Sequence, residues 1–224
     1  MKAFNSVTGE VSGILEQSIL KGGNELTCIA IHPSLVDVIL ACSSSGEILA
    51  MPMSGEPAEL VIRLDRGISK IQVCKETGSI FCSSIDSQRL YQVSLVEGKR
   101  AKSSVILKQK FSCFSASLDG NFLAWAHEKR ICVWSVLADP DRKAIKHADG
   151  SRSIHGLCWS EHDLVVALTS GSMVVIRQLA PSAPFTINNA PMHWHANTIK
   201  AMESSPSDGH LVSGGEEAVA VIWN

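Results

Sequence analysis

Ile131-Cys-Val-Trp134, Met173-Val-Val-Ile176 and Val219-Ala-Val-Ile-Trp223 are short stretches of one kind: a few apolar, mostly β-branched residues closing on a bulky side chain. The same kind of stretch closes at Met-Lys-Ala-Phe4, Ile48-Leu-Ala-Met51 and Tyr91-Gln-Val-Ser94. The closing positions 4, 51, 94, 134, 176 and 223 lie 47, 43, 40, 42 and 47 residues apart. A fixed spacing of this size marks an array of supersecondary units, and it decides the fold before any single element does.

Each interval has the same internal order. A first alternating strand is expected at Leu26–Ile31, Ile68–Val73, Phe111–Ala116, Ile154–Trp159 and Ile199–Met202. A turn rich in Pro, Asp, Gly or Ser follows, such as His32-Pro33-Ser34 or Leu118-Asp119-Gly120. A strand of small residues comes next, at Ile39–Cys42, Ile80–Ser83, Leu123–Ala126, Val165–Thr169 and Leu211–Ser213. A second tight turn leads into the closing stretch. A weaker fourth strand is expected at Glu59–Leu64, Ser104–Leu107 and Pro184–Ile187. Period-2 alternation with turn residues between is the pattern of strands in a half-buried sheet. Four short strands per unit of about 40–45 residues is the pattern of a β-propeller blade. The strongest helical candidate, Val136–His147, contains Pro140 and reads as a loop. The expected fold is therefore all-β, a propeller of about five four-stranded blades in a single partial domain over 1–224.

Composition sets the outer limits. The chain has 224 residues, 45% hydrophobic and 19% charged, which is globular rather than disordered. The net charge of −2 argues against a whole-surface attraction to nucleic acid or anionic membrane. Apolar runs such as Leu164–Leu168 have strand length, not the length of a membrane helix. The opening Met1-Lys2-Ala3-Phe4-Asn5-Ser6 turns polar at once and lacks the apolar core of a secretory signal. The seven cysteines (Cys28, Cys42, Cys74, Cys82, Cys113, Cys132, Cys158) are odd in number, never spaced C-x-x-C, and sit in strand-like stretches. They read as small buried hydrophobes of an intracellular protein.

His195 four residues before Ile199, the pair Ser213-Gly214, and Trp223 closing its strand resemble the WD-repeat family. That resemblance implies a hydrogen-bond network in which His, Ser and Trp staple a blade together with a turn carboxylate, here Glu216. Trp134 closes its unit in the same way, without a matching His before its first strand; Met51, Ser94 and Ile176 stand where Trp would be. Met192-His-Trp-His-Ala-Asn-Thr-Ile-Lys-Ala-Met202 with Leu211-Val-Ser-Gly-Gly-Glu-Glu-Ala-Val-Ala-Val221, and the opening Met1–Val11, are similar to the family of nucleolar WD-repeat subunits of the t-UTP subcomplex of the small-subunit processome. The resemblance implies a non-enzymatic scaffold in pre-ribosomal RNA transcription and processing, located in the nucleolus and bound to other protein subunits. A generic propeller adaptor in a trafficking, chromatin or ubiquitin complex, or a cytoplasmic one, is the other reading. The chain is shorter than that family's pattern and is expected to be a truncated member with an open or partly open ring.

No chemistry-bearing constellation competes with these readings. His193 and His195 have H-x-H spacing, but no third ligand stands near, so a metal is not expected. Ser170-Gly171-Ser172 and Ser213-Gly214-Gly215 are not G-x-S-x-G elbows and read as tight turns. No phosphate-binding or dinucleotide fingerprint occurs. No cofactor, small-molecule substrate or membrane is therefore expected. Lys99, Arg100 and Lys102, with Lys108 and Lys110 beyond, form the densest basic stretch and the candidate for a weak, sequence-independent RNA contact.

Overall fold

The computed structural model describes residues 2–4, 11–14, 25–95, 101–136, 146–149, 152–160, 163–177, 191–205 and 209–223. The chain divides into two compact units, Met1–Gln109 and Lys110–Asn224. The described residues form twenty-one strands and no helix. All neighbouring strands pair antiparallel in sequence order, which is the outcome when tight turns rather than crossover helices connect them.

The first unit holds three sheets. β1 (Lys2–Phe4) pairs with β2 (Val11–Ile14) in a two-stranded sheet, Lys2 opposite Ile14. β3 (Leu26–Ile31), β4 (Val38–Ser43), β5 (Glu47–Pro52) and β6 (Glu59–Arg63) form the second sheet. β7 (Ile68–Val73), β8 (Ile80–Ser84), β9 (Leu90–Ser94) and β10 (Lys102–Leu107) form the third. The two four-stranded sheets share a core in which Leu40, Cys42 and Ile48 of one meet Ile71, Ile80, Cys82 and Val93 of the other.

The second unit repeats the plan. β11 (Cys113–Ala116), β12 (Phe122–His127), β13 (Arg130–Ser135) and β14 (Lys146–Asp149) form its first sheet. β15 (Ile154–Ser160), β16 (Asp163–Leu168), β17 (Ser172–Ile176) and β18 (Met192–His193) form its second. β19 (Ile199–Ser204), β20 (Leu211–Gly215) and β21 (Ala220–Trp223) form a three-stranded third. The middle sheet is apolar on both faces. Leu157, Trp159, Val166 and Ile176 pack against Ala124, Ala126, Ile131 and Val133. Cys158, Val165 and Ala167, on the opposite face, pack against Ile199, Leu211, Met202 and Trp223. This explains why its strands read as continuous apolar runs rather than as strict alternation.

The repeat is visible in the backbone as well. The first strand of four sheets carries a register shift near its start, at Leu26/Cys28, Ile68/Lys70, Ile154/Gly156 and Ile199/Ala201. The residue before that strand accepts a hydrogen bond from the turn after the second strand: Ser44 to Glu25, Ile85 to Gly67, Thr169 to Ser153 and Glu216 to Thr198.

The expected elements differ from these in a few places. The third strands end at Pro52 and Ser135, one residue past the expected Met51 and Trp134, and at Ser94, Ile176 and Trp223 as expected. β11 starts at Cys113, not Phe111, because Phe111 turns into the core edge-on to Phe114, with ring centroids 6.4 Å apart. The fourth strand of the middle sheet is Met192–His193; the expected Pro184–Ile187 lies outside the described residues. β14 and β2 were not expected, since Lys146–Asp149 and Val11–Ile14 lack the alternation that marks a strand.

Candidate functional site

The connection from β18 to β19 carries His195 into the β19–β21 sheet, where its side chain is fully buried. Its Nε2 lies 2.7 Å from Ser213 Oγ on β20, and its Nδ1 lies 2.5 Å from Glu217 Oε1 in the β20–β21 turn. Trp223, at the end of β21, donates its indole N–H to the same Ser213 Oγ at 2.8 Å. An indole nitrogen only donates, so Ser213 Oγ accepts there and directs its own hydrogen to His195 Nε2. Nδ1–H then donates to Glu217. This assignment follows from the network and gives every polar hydrogen an acceptor. The Glu217 carboxyl is held below the ordinary carboxylate value by its own backbone N–H, and then by the imidazole.

The expected trio His195, Ser213 and Trp223 is thus brought together. Its carboxylate is Glu217, which corrects the expectation for Glu216. Glu216 points outward and pairs with Lys200 at 3.0 Å. The tight turn separates the two: Ala218 takes a positive φ of 62°, Gly215 N–H bonds to Val219, and the reversal aims Glu217 alone at the ring. Gly215 is required there, because a Cβ would stand 2.5 Å from His195 Nδ1 and against the Glu217 carboxylate.

A serine bonded to an imidazole that is bonded to a carboxylate has the connectivity of an acyl-transfer triad. Its surroundings assign it a different task. Ser213 is fully buried, and its Oγ already accepts from Trp223, so a substrate carbonyl has no approach to it. What the network does is join the β18–β19 connection, β20, β21 and the β20–β21 turn through three bonds, of which the His195–Ser213 bond at the centre is buried and therefore strong. His193, by contrast, is exposed on β18. Both nitrogens of His195 are engaged, so the H-x-H pair does not present two free imidazoles. No cluster of three metal-ligating side chains occurs among the described residues.

Trp134 belongs to another sheet. It is buried opposite Leu123 and does not join the His195 network. Two turns of other sheets, β8–β9 and β11–β12, are held by a shorter device. Ser84 Oγ donates to Asp86 at 2.5 Å and accepts from the backbone of Arg89 at 2.9 Å. Ser117 Oγ donates to Asp119 at 2.5 Å and accepts from the Phe122 backbone at 2.9 Å. The signal for both is Ser-x-Asp at a turn, where short polar side chains bond local backbone.

Two further ties connect sheets in the first unit. Ser34 N–H donates to His32 Nδ1 at 3.2 Å, so the other ring nitrogen carries the hydrogen and donates to the Gly78 carbonyl at 2.9 Å. Tyr91 donates its hydroxyl to Asp65 at 2.6 Å, Arg89 pairs with Asp65, and Arg66 pairs with Asp86. The Tyr91 hydroxyl bond, together with Arg89, holds the Asp65 carboxyl below its ordinary value. Burial, then the Asp65 carboxylate, pushes the Tyr91 phenol up to about 12.

Of the basic candidates, Lys102 opens β10 and is exposed, as are Lys108 and Lys110; Lys99 and Arg100 lie outside the described residues. All seven cysteines are free thiols, with Cys42, Cys74, Cys82, Cys132 and Cys158 buried and Cys28 and Cys113 half-buried. In comparison with known proteins, the chain matches no family model and no curated protein.

Proposed function

We propose that the chain is a WD-repeat-like β-propeller of about five blades, open or partly open, that works as a non-enzymatic scaffold. The observation that carries this reading is the Trp223–Ser213–His195–Glu217 network, centred on the buried His195 and Ser213 and set in sheets that repeat one antiparallel order. A buried relay of this kind stiffens a sheet and leaves the outer loops and sheet edges free for protein contacts. The similarity of Met192–Met202 and Leu211–Val221 to nucleolar t-UTP subunits extends the proposal. The scaffold then serves pre-rRNA transcription and small-subunit rRNA processing in the nucleolus, with other subunits as direct partners and any RNA contact weak, through Lys99, Arg100 and Lys102.

The test is localisation with co-purification. Tagged protein is expected in nucleoli, recovering processome proteins and their small nucleolar RNA. Exclusion from nucleoli, with no pre-ribosomal factor recovered, would overturn the nucleolar reading and leave a generic adaptor in its place.

A further inference from the structure

The β7–β10 and β15–β18 sheets share a turn device that differs in one residue. In each, the first residue of the first strand stands opposite the last residue of the second: Ile68 opposite Ser84, and Ile154 opposite Leu168. Two residues before the first strand stands an arginine, Arg66 in one sheet and Arg152 in the other. Two residues past the second strand, the turn presents a side chain to that arginine. In the β8–β9 turn it is Asp86, which forms an ion pair with Arg66. In the β16–β17 turn it is Ser170, whose Oγ accepts from Arg152 Nη1 at 3.2 Å. Arg152 also reaches Ser172 Oγ at 3.5 Å.

The β19–β21 sheet holds an anion at the same place. Glu217 stands two residues past Gly215, which lies opposite Ile199. Its carboxylate accepts from the backbone N–H of Asn197, two residues before Ile199. Ser170 thus occupies a position that carries a carboxylate in two other sheets. It faces a guanidinium that forms no ion pair among the described residues. Ser45 fills the same position in the β3–β6 sheet, two residues past Ser43, which lies opposite Leu26. There the neighbour is the Glu47 carboxylate, which would repel a second anion.

Access and rigidity single out Ser170. It is exposed, as is Arg152, whereas Ser172 is fully buried. Its turn is closed by the Gly171 N–H bond to the Leu168 carbonyl at 3.1 Å. A Cβ at Gly171 would collide with the His195 and Asn197 carbonyls, so the turn backbone is held in close packing where Ser170 Oγ meets Arg152.

We propose that Ser170 is a phosphorylation site whose phosphate is received by Arg152. A protein kinase transfers the γ-phosphoryl group of a nucleoside triphosphate. The bond from Ser170 Oγ to phosphorus forms, the bond from the γ-phosphorus to the β–γ bridging oxygen breaks, the hydroxyl proton passes to the kinase's base, and the nucleoside diphosphate leaves. The product brings a charge of about −1.5 to −2 and three acceptor oxygens to a planar guanidinium fork, which suits bidentate bonding. The neutral Arg152–Ser170 bond becomes the counterpart of the Arg66–Asp86 ion pair. It fastens the β16–β17 turn to the residues that enter β15, and it places a switchable charge on an exposed turn.

The test has two arms. In the first, the 224-residue chain is incubated with a eukaryotic cell lysate, ATP and phosphatase inhibitors, and its phosphates are mapped by mass spectrometry. Phosphate is expected on Ser170 and not on Ser172. Ser170→Ala is expected to remove it while leaving the thermal midpoint of the unmodified chain nearly unchanged. In the second, the chain is made with phosphoserine at position 170, and its phosphate is titrated by phosphorus NMR. The guanidinium favours the dianion, so the midpoint is expected about half a pH unit or more below the ordinary value near 6. Arg152→Gln is expected to return it to that value, and Arg152→Lys to lower it again in part. A Ser170 left unmodified by the lysate would overturn the proposal. So would a phosphate whose titration does not respond to Arg152→Gln.

Discussion

Ser213 accepts one hydrogen bond from the half-buried Trp223 and donates another to the fully buried His195. Ser213→Ala therefore leaves the buried imidazole Nε2 without its donor and breaks the Trp223 bond, and the expected loss is about 1–3 kcal/mol in chemical denaturation. Trp223 is half-buried, so Trp223→Ala should cost less than the roughly 3–5 kcal/mol of a fully enclosed tryptophan. A denaturation midpoint unchanged by either substitution would remove the network from the stability of this sheet. Glu217 adds a pH signature. Its carboxyl ionises more readily in the folded chain than in the unfolded one, so its contribution is present above the ordinary glutamate value near 4.3. That contribution is lost as pH falls through the lower folded value. Glu217→Gln is expected to flatten the acid limb of the stability profile; a limb of unchanged steepness would assign the acid loss to other groups.

At the scale of elements, the turns hold the sheets in place. The β4–β5 turn puts Gly46 at φ 89° directly beneath the Leu64 and Arg66 carbonyls, the former 2.7 Å from where a Cβ would stand. Gly46→Ala is expected to lower the thermal midpoint through both strain and collision, by more than the ~1 kcal/mol of an ordinary loop glycine substitution. Tyr91 gives an alkaline counterpart to Glu217. Its phenol ionises at about 12 in the folded chain, against an ordinary value near 10. The stability it adds is fully present below pH 10 and is lost between pH 10 and 12. Tyr91→Phe should abolish that loss, read as a midpoint that no longer falls over this window. The strands themselves were legible because alternation and turn residues act locally; Leu26–Ile31 and Ile68–Val73 have the bounds that their sequences predict. β14 was not, because the Lys146–Asp149 backbone pairs with β13 without any apolar rhythm of its own.

At the scale of the whole molecule, the RNA contact proposed for the basic stretch has a direct test. Replacing Lys99, Arg100 and Lys102 with Ala is expected to remove any residual RNA affinity while association with protein partners persists. Before replacement, the salt dependence should be shallow, with a slope of about −0.7 per neutralised phosphate on single strands. Unchanged RNA binding by the triple variant would make the stretch an ordinary solvated loop. The spacing of the closing stretches alone determined that the chain is all-β and built of repeated antiparallel units, because both the period and the alternation are properties of the chain in one dimension. His195, Ser213 and Trp223 were singled out by the resemblance of their stretch to the WD-repeat family, not by the spacing. The tertiary structure decided which of two adjacent glutamates reaches His195, because a positive φ at Ala218 rotates one carboxylate inward and the other to Lys200. It decided that the serine is closed to substrate, because burial depends on what packs above a residue and not on the residue itself.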